Sequence, residues 1–168
     1  MTKEEFIKVL KKRNHPYKIK GDKIVVTGEG YVQLSDLTSL PPDVEFRNKD
    51  NVWLTSLTSL PPGVVFMNGG RVNLSALTSL PLGVVFKNEG AVDLGSLTSL
   101  PPDVEFRNKD NVWLTSLTSL PPGVVFMNGG DVYLESLTDE WFNDWSGNIE
   151  GIDSNRLLNF MINKGMFI

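Results

Sequence analysis

The sequence predicts a mainly β protein, a parallel β-solenoid of 20-residue coils with two short strands per coil, capped by an N-terminal helix plus hairpin and by a C-terminal helix. Near-copies of the stretch from Leu57 to Leu74 recur every 20 residues along most of the chain, which is typical of solenoids. Each copy holds two segments, Val-x-Phe and Val-x-Leu, whose apolar residues alternate as they do in strands. We expect one domain over residues 1–168.

Residues 1–23 are predicted to form the N-terminal cap. The segment Thr2–Glu5 is a capping box, in which the threonine hydroxyl accepts from the glutamate amide. Phe6 and Leu10 then lie at helical spacing, and Pro16 ends the helix because proline disfavours helical backbone in the preceding residue. Two short segments with the alternating side-chain pattern of strands flank residues 20–22. They predict a hairpin whose second strand begins the array.

Residues 24–138 are predicted to form the array. Each coil turns at Asn-x-Gly or Asn-x-Asp and closes with a Leu-Thr-Ser-Leu-Pro corner. Glycine, asparagine and aspartate tolerate left-handed backbone, which we expect in the asparagine turns. Parallel pairing of successive coils stacks identical residues into ladders. The inward asparagines are expected to bond turn amides, turn carbonyls and one another as a structural ladder of Asn48, Asn68, Asn88, Asn108 and Asn128.

Residues 139–168 are predicted to form the C-terminal cap. After Leu134 the repeat decays, although Asn148 and Ile152 still fall in register and indicate one last, degenerate coil. A helix over about 154–164 follows, and Gly165 ends it. Caps of this kind cover the open edges of a β-stack, which otherwise promote aggregation.

One block of the array is repeated without change. Residues 37–70 and 97–130 are identical, at a separation of 60 residues. Core packing constrains inward residues but not outward ones such as Arg47 and Trp53, so identity at those positions indicates recent duplication of a three-coil block. We expect the number of coils to be adjustable.

The unit Leu-Thr-Ser-Leu-Pro followed by Val-x-Phe-x-Asn resembles the short leucine-rich repeats of bacterial proteins, which also turn on a leucine-proline corner and an asparagine. In those repeats the asparagine comes shortly before the next corner, whereas here a further strand such as 72–74 intervenes. The layout, with residues 21–26 before the array and 151–158 after it, is similar to small repeat proteins of bacteria and their phages. The resemblance implies a capped solenoid with a binding role and assigns a role to no residue.

Composition argues against several classes of function. The chain has no cysteine, which removes disulfides, thiolate metal sites and cysteine nucleophiles. His15 is the only histidine, and no phosphate-binding loop accompanies the turn glycines. We therefore expect no enzymatic activity, no cofactor and no metal site. No apolar run approaches the roughly 18 residues of a membrane span, so we expect a soluble protein in the cytoplasm of a bacterial host cell.

The outward positions carry the candidate partner-binding residues. Their large aromatic and apolar side chains exceed what a solvated sheet requires, although half-exposed sheets also carry such residues for their strand propensity. Tryptophan and tyrosine anchor many protein interfaces. The candidates are Trp53, Trp113, Tyr133, Val65, Val85, Val125, Met67 and Met127.

Charge distinguishes the two ends of the chain. Residues 1–30 hold eight Lys or Arg against four acids, whereas residues 131–153 hold seven acids and no Lys or Arg. These ends permit head-to-tail stacking or an acidic face for a basic partner. The acidic-cap candidates are Asp131, Glu135, Asp139, Glu140, Asp144 and Glu150. The array offers no continuous basic stripe, so we do not expect nucleic-acid binding.

We expect a non-catalytic repeat protein that acts as a rigid protein-binding scaffold, for example a phage- or mobile-element-encoded inhibitor of a host protein. The sequence does not specify the partner. Two alternatives remain open. One is a self-assembling structural protein, a homo-oligomer that uses the outward Val and Met residues or the charged caps. The other is an acidic mimic of nucleic acid.

Overall fold

The computed structural model describes residues 1–121 and 123–137, which form a mainly β solenoid with one N-terminal helix. Helix α1 spans Lys3–Lys12, and strands β1 (Tyr17–Lys20) and β2 (Lys23–Val26) form an antiparallel hairpin. The remaining strands are β3 (Val32–Gln33), β4 (Val44–Phe46), β5 (Val52–Trp53), β6 (Val65–Phe66), β7 (Val72–Asn73), β8 (Val85–Phe86), β9 (Val92–Asp93), β10 (Glu105–Phe106), β11 (Val112–Trp113), β12 (Val125–Phe126) and β13 (Val132–Tyr133).

Two sheets run along the solenoid. Sheet A has the order β1-β2-β4-β6-β8-β10-β12, and sheet B has the order β3-β5-β7-β9-β11-β13. Apart from the β1–β2 hairpin, the strand pairs are parallel, and each residue lies opposite its counterpart 20 residues later, as Phe46 lies opposite Phe66. This register confirms the predicted parallel solenoid with two short strands in each coil.

The core lies between the two sheets and is built from stacked, identical side chains. In sheet A a row of buried Val lies beside a row of buried Phe, and in sheet B a row of buried Val lies beside a row of buried Leu. Five phenylalanines of sheet A stack with centroids 5.1–5.5 Å apart and ring planes 4–8° apart. The small angles between the ring planes show that the phenylalanines keep nearly the same tilt from coil to coil.

The N-terminal helix packs against the first coils. Its capping box has the predicted geometry, because the Glu5 amide donates to the Thr2 hydroxyl over 3.2 Å and the Thr2 amide donates to the Glu5 carboxylate over 2.7 Å. Phe6 and Leu10 have no exposed surface and join the core. The hairpin then brings β2 into parallel register with β4, with Ile24 opposite Val44.

The prediction of left-handed backbone in the asparagine turns is wrong. Positive φ angles occur instead at the residue that follows the proline pair or Pro-Leu of each corner: Asp43 (61°), Gly63 (76°), Gly83 (73°), Asp103 (57°) and Gly123 (76°). Glycine, and to a lesser degree aspartate, tolerates this backbone. The corner therefore carries the tight reversal of the coil.

The glycines of the asparagine turns have a different role, which is to permit close approach between coils. A Cβ atom added to Gly69 would collide with the Lys49 carbonyl oxygen. A Cβ atom on Gly70 would lie 2.7 Å from the Asn51 backbone nitrogen, closer than real contacts allow. Successive turns are therefore fitted to one another, and a glycine in one coil accommodates the coil before it.

Within the described residues, no helix is long and apolar enough to cross a membrane. The predicted C-terminal cap over 139–168, with its helix at about 154–164, lies outside the described residues.

Candidate functional site

The outer face of sheet B carries the three aromatic residues that are predicted from the sequence to bind a partner. Because the strands are parallel and in register, Trp53, Asn73, Asp93, Trp113 and Tyr133 occupy successive places in one row. Neighbouring strands are about 4.8 Å apart, so this row spans roughly 19 Å. The structure therefore brings the three aromatic candidates onto one face, where each is half-buried.

Arg71 fills the space between the two tryptophans. Its guanidinium carbon Cζ lies 4.6 Å from the ring centroid of Trp113 and 5.9 Å from that of Trp53. Its Nη2 donates to Oδ2 of Asp93 over 2.6 Å. A cation over aromatic rings gains about 0.5–2 kcal/mol. The Asp93 side chain is only 16% exposed, so the ion pair is partly shielded from water.

Arg71 is not among the partner-binding residues predicted from the sequence. This residue lies just before β7, in a row whose other described members are Tyr31, Asn51, Ala91, Asn111 and Asp131. The repeat pattern gives no reason for one member of that row to turn toward the tryptophans. The available signal is that the row holds a single cationic residue, one coil after a tryptophan.

The rest of the row is ordered by local hydrogen bonds. Trp113 stacks on Tyr133 with ring centroids 5.9 Å apart and planes 20° apart. Asn73 is 8% exposed, and its Oδ1 accepts from the Ser75 amide over 3.0 Å. The Oδ1 of Asp93 accepts from the Gly95 amide over 3.2 Å. These bonds hold the residues that lie between the two tryptophans.

We call Trp53, Arg71, Asp93, Trp113 and Tyr133 the aromatic cluster. Cation–π contact, ion pairing and ring stacking fix its side chains before any partner arrives. Side chains that are already ordered lose less conformational entropy on binding. Tryptophan, tyrosine and arginine are also the residues that most often dominate binding energy at protein interfaces. The cluster has the composition and rigidity of a protein-binding surface.

The apolar candidates lie elsewhere. Val65, Val85 and Val125 are half-buried on the outer face of sheet A, where Met67 and Met127 are 37% and 50% exposed. The predicted partner-binding residues are therefore divided between two faces of the solenoid.

Charged residues lie among these apolar residues on sheet A. Glu45 is 8% exposed and accepts from Lys23 over 2.8 Å and from Arg47 over 2.9 Å. These hydrogen bonds, first that from Lys23, lower the pKa of Glu45. Glu105 accepts from Arg107 over 2.6 Å, and this bond lowers the pKa of Glu105 in the same way.

A shallow cavity lies on the same face. Its volume is about 190 Å³, and its lining is Gly83, Val84, Val85, Lys87, Asp103, Glu105 and Arg107. Gly83 leaves the cavity open, because an added Cβ atom there would meet no atom within 4 Å. Two acidic and two basic side chains surround the opening, so the cavity is polar without a net sign of charge.

The acidic-cap candidates are only partly described. Asp131 and Glu135 are exposed on either side of β13, at the end of sheet B. Asp139, Glu140, Asp144 and Glu150 lie outside the described residues. The described part of the chain holds no group of three or more His, Cys, Asp or Glu side chains suited to a metal ion.

The ladder asparagines bond the backbone of the turns. Nδ2 of Asn88 donates to the Gly70 carbonyl of the preceding coil over 3.1 Å and to the Gly90 carbonyl over 2.6 Å. The same two kinds of acceptor serve Asn48, Asn68, Asn108 and Asn128. The expected bonds to turn amides and between asparagines are not formed where the ladder is buried, because Oδ1 has no partner in Asn48, Asn68, Asn88 and Asn108.

Comparison with known proteins adds no family to these observations. No family model, no curated protein and no solved structure matches the chain.

Proposed function

We propose that this chain is a non-catalytic scaffold that binds another protein through the aromatic cluster on sheet B. The observation that supports the proposal most directly is the position of Arg71, held between Trp53 and Trp113 and paired with Asp93. Such an arrangement places three residues of the types that anchor interfaces on one rigid, half-exposed face. The parallel coils keep the spacing of these residues fixed.

Two finer statements belong to the same proposal. The first is that the scaffold is leucine-rich-repeat-like. Two features support this relation: the rows of buried leucines and the asparagines that bond turn carbonyls. The second sheet is a difference from leucine-rich repeats. The second is that the chain is a phage- or mobile-element-encoded inhibitor that binds a protein of the bacterial host cell. Its support is the resemblance of the sequence layout to small repeat proteins of bacteria and their phages.

The proposal is tested by capture from a bacterial lysate with three immobilised chains. These are the native chain, a Trp53→Ser/Trp113→Ser variant, and a Tyr31→Ser control that removes an aromatic residue 59% exposed outside the cluster. We expect the native and control chains to recover the same protein and the double variant to lose it by about tenfold or more. Circular dichroism and thermal melting establish first that the three chains are folded.

Either of two results would contradict the proposal. One is recovery of the same protein by the native chain and the double variant in equal amounts, which would place binding elsewhere on the chain. The other is the absence of any protein enriched by the native chain over the double variant.

A further inference from the structure

Two of the asparagine turns contain a chemically labile pair of residues. The sequence has two Asn-Gly pairs, Asn68-Gly69 and Asn128-Gly129, and both asparagines belong to the ladder. In such a pair the backbone nitrogen of the glycine can attack Cγ of the asparagine, because glycine has no Cβ atom to hinder the approach. The other ladder asparagines are followed by lysine or glutamate, whose side chains hinder this attack.

The fold requires both residues of each pair. Nδ2 of the asparagine donates to carbonyls in its own turn and in the turn before it. A Cβ atom on Gly69 would collide with the Lys49 carbonyl oxygen, and a Cβ atom on Gly129 would collide with the Lys109 carbonyl oxygen. The hydrogen bonds of the ladder and the close packing of the turns therefore keep a labile pair at both places.

We propose that Asn128 is a site of spontaneous deamidation in the folded chain and that Asn68, in the same local sequence, is protected from the reaction. The Gly129 nitrogen loses its proton to the solvent and bonds to Cγ of Asn128. The bond between Cγ and Nδ2 breaks, and Nδ2 takes up a proton and leaves as ammonia. Water then opens the five-membered succinimide at one of its two carbonyl carbons, which gives aspartate or isoaspartate.

Burial distinguishes the two sites. Asn68 has no exposed surface and its Oδ1 is buried, whereas Asn128 is half-buried. Solvent must reach the pair both to remove the proton from the glycine nitrogen and to hydrolyse the succinimide. The reaction is therefore expected to be slower at Asn68.

Hydrogen bonds hold the reacting groups apart at both sites, and two of the three bonds are longer at the second site. The Gly69 amide donates to the turn before it over 2.8 Å, and the Gly129 amide does so over 3.1 Å. Nδ2 of Asn68 donates to the preceding turn over 3.1 Å and within its own turn over 2.9 Å. The corresponding distances for Asn128 are 3.3 Å and 2.7 Å. These bonds must break before the ring can close.

The turn of Asn68 is also bonded by the coil that follows it. The Glu89 amide donates to the Asn68 carbonyl over 2.9 Å, and Nδ2 of Asn88 donates to the Gly70 carbonyl over 3.1 Å. The free energy of local opening ranges from about zero in the least stable parts of a protein to the full free energy of unfolding in its core. Bonds to coils on both sides place the Asn68 turn toward the upper end of this range.

Deamidation of Asn128 changes the array in two ways. Ionised aspartate has no hydrogen to donate, so its carboxylate faces the carbonyls of Asp110 and Gly130 without a bond. Isoaspartate also adds one carbon atom to the backbone between β12 and β13, which shifts Tyr133 relative to Trp113, the ring on which it stacks. The reaction needs no partner, so it holds or fails independently of the proposed function.

Peptide mapping of a single chain tests the proposal, because each molecule contains its own control. Residues 37–70 and 97–130 are identical, so the two asparagines have the same neighbours on both sides up to the second glycine. The folded chain is incubated at mildly alkaline pH, and mass spectrometry follows the replacement of NH2 by OH at each asparagine. We expect Asn128 to convert at least about tenfold faster than Asn68. Equal rates in the folded chain would overturn the proposal.

A parallel incubation in concentrated guanidinium chloride separates the effect of the fold from that of the sequence. In the unfolded chain we expect Asn68 and Asn128 to convert at equal rates, because their neighbours are identical. The same preference for Asn128 in the unfolded chain would show that the structure is not its cause. Absence of conversion at Asn128 in the folded chain, over the time in which the unfolded chain converts, would equally overturn the proposal.

Discussion

At the scale of single residues, the asparagine ladder shows how one side chain can hold two coils. Nδ2 of Asn88 reaches a carbonyl in its own turn and one in the turn before it. Both carbonyls lie near the centre of the stack, where a buried polar group without a partner costs about 1–3 kcal/mol. The buried Oδ1 of Asn88 has no partner and therefore lowers stability. The side chain is favourable overall because its Nδ2 donates to both carbonyls.

Replacing Asn88 with alanine should therefore be costly. We expect Asn88→Ala to lower the free energy of unfolding by about 2–3 kcal/mol, because up to three turn carbonyls lose their donor. Asn128→Ala removes the same side chain from a half-buried site, and we expect a loss of about 1 kcal/mol. Urea unfolding at pH 7 measures both. Equal losses would show that burial does not determine how much the asparagine hydrogen bonds contribute to the free energy of unfolding.

At the scale of elements, the N-terminal cap is attached to the first edge of sheet B by side chains. Nη1 of Arg13 donates to the Gln33 carbonyl over 2.9 Å, and its Nη2 lies 2.6 Å from the Asp36 carboxylate. The Gln33 amide donates to Nε2 of His15 over 3.3 Å. These bonds occupy backbone groups of β3 that an open edge would leave available to other chains.

This attachment depends on pH through His15. Burial lowers the pKa of His15 below its ordinary value near 6.5, while the backbone of Gln33 acts in the opposite direction. The Gln33 amide can donate to Nε2 only when that atom carries no proton. The histidine contribution to stability is therefore complete above the unfolded pKa near 6.5 and is lost as pH falls through the lower, folded pKa. We expect stability to fall between pH 7.5 and 5.5 by more in the native chain than in His15→Phe. Urea unfolding at both values measures the difference, and equal losses would exclude His15 as the cause.

Part of this architecture could be predicted from the sequence because it depends on spacing along the chain. The alternation of Val with Phe or Leu predicts the strands and their inward faces, and the 20-residue period predicts their parallel register. The corner backbone and the place of Arg71 could not be predicted in the same way. Arg71 is positioned by Trp53, Asp93 and Trp113 in three other coils, and a repeat pattern does not show which neighbouring side chains will meet.

At the scale of the whole molecule, the strands of each coil pair only with the coil before it and the coil after it, although the Arg71 side chain also reaches Trp113 two coils on. The stability of such a stack is a sum over coils and over the interfaces between neighbours. The identity of residues 37–70 and 97–130 means that removing residues 37–96 joins two coils whose interface already exists in the native chain. We expect this shortened chain to fold cooperatively, with a lower urea midpoint because it has fewer coils.

Removing a single coil is different, because coils of different sequence are not interchangeable neighbours. Deletion of residues 57–76 places Glu89 where Gly69 stood, beside the Lys49 carbonyl oxygen that a Cβ atom at Gly69 would strike. In the native chain Glu89 instead follows Gly69. Forcing an extra side-chain atom into a packed contact typically costs about 1–3 kcal/mol.

The substitution Glu89→Gly separates this misfit from the loss of a coil. In the chain that lacks residues 57–76, we expect Glu89→Gly to raise the free energy of unfolding by about 1 kcal/mol or more, because it removes the colliding atom. In the full chain the same change should lower stability by about 0.5–1 kcal/mol, since glycine adds freedom to the unfolded chain and Glu89 loses its salt bridge to Lys109. Urea unfolding of the four chains gives both values. A change of the same sign in both backgrounds would contradict the view that the identity of neighbouring coils determines which repeats can be joined.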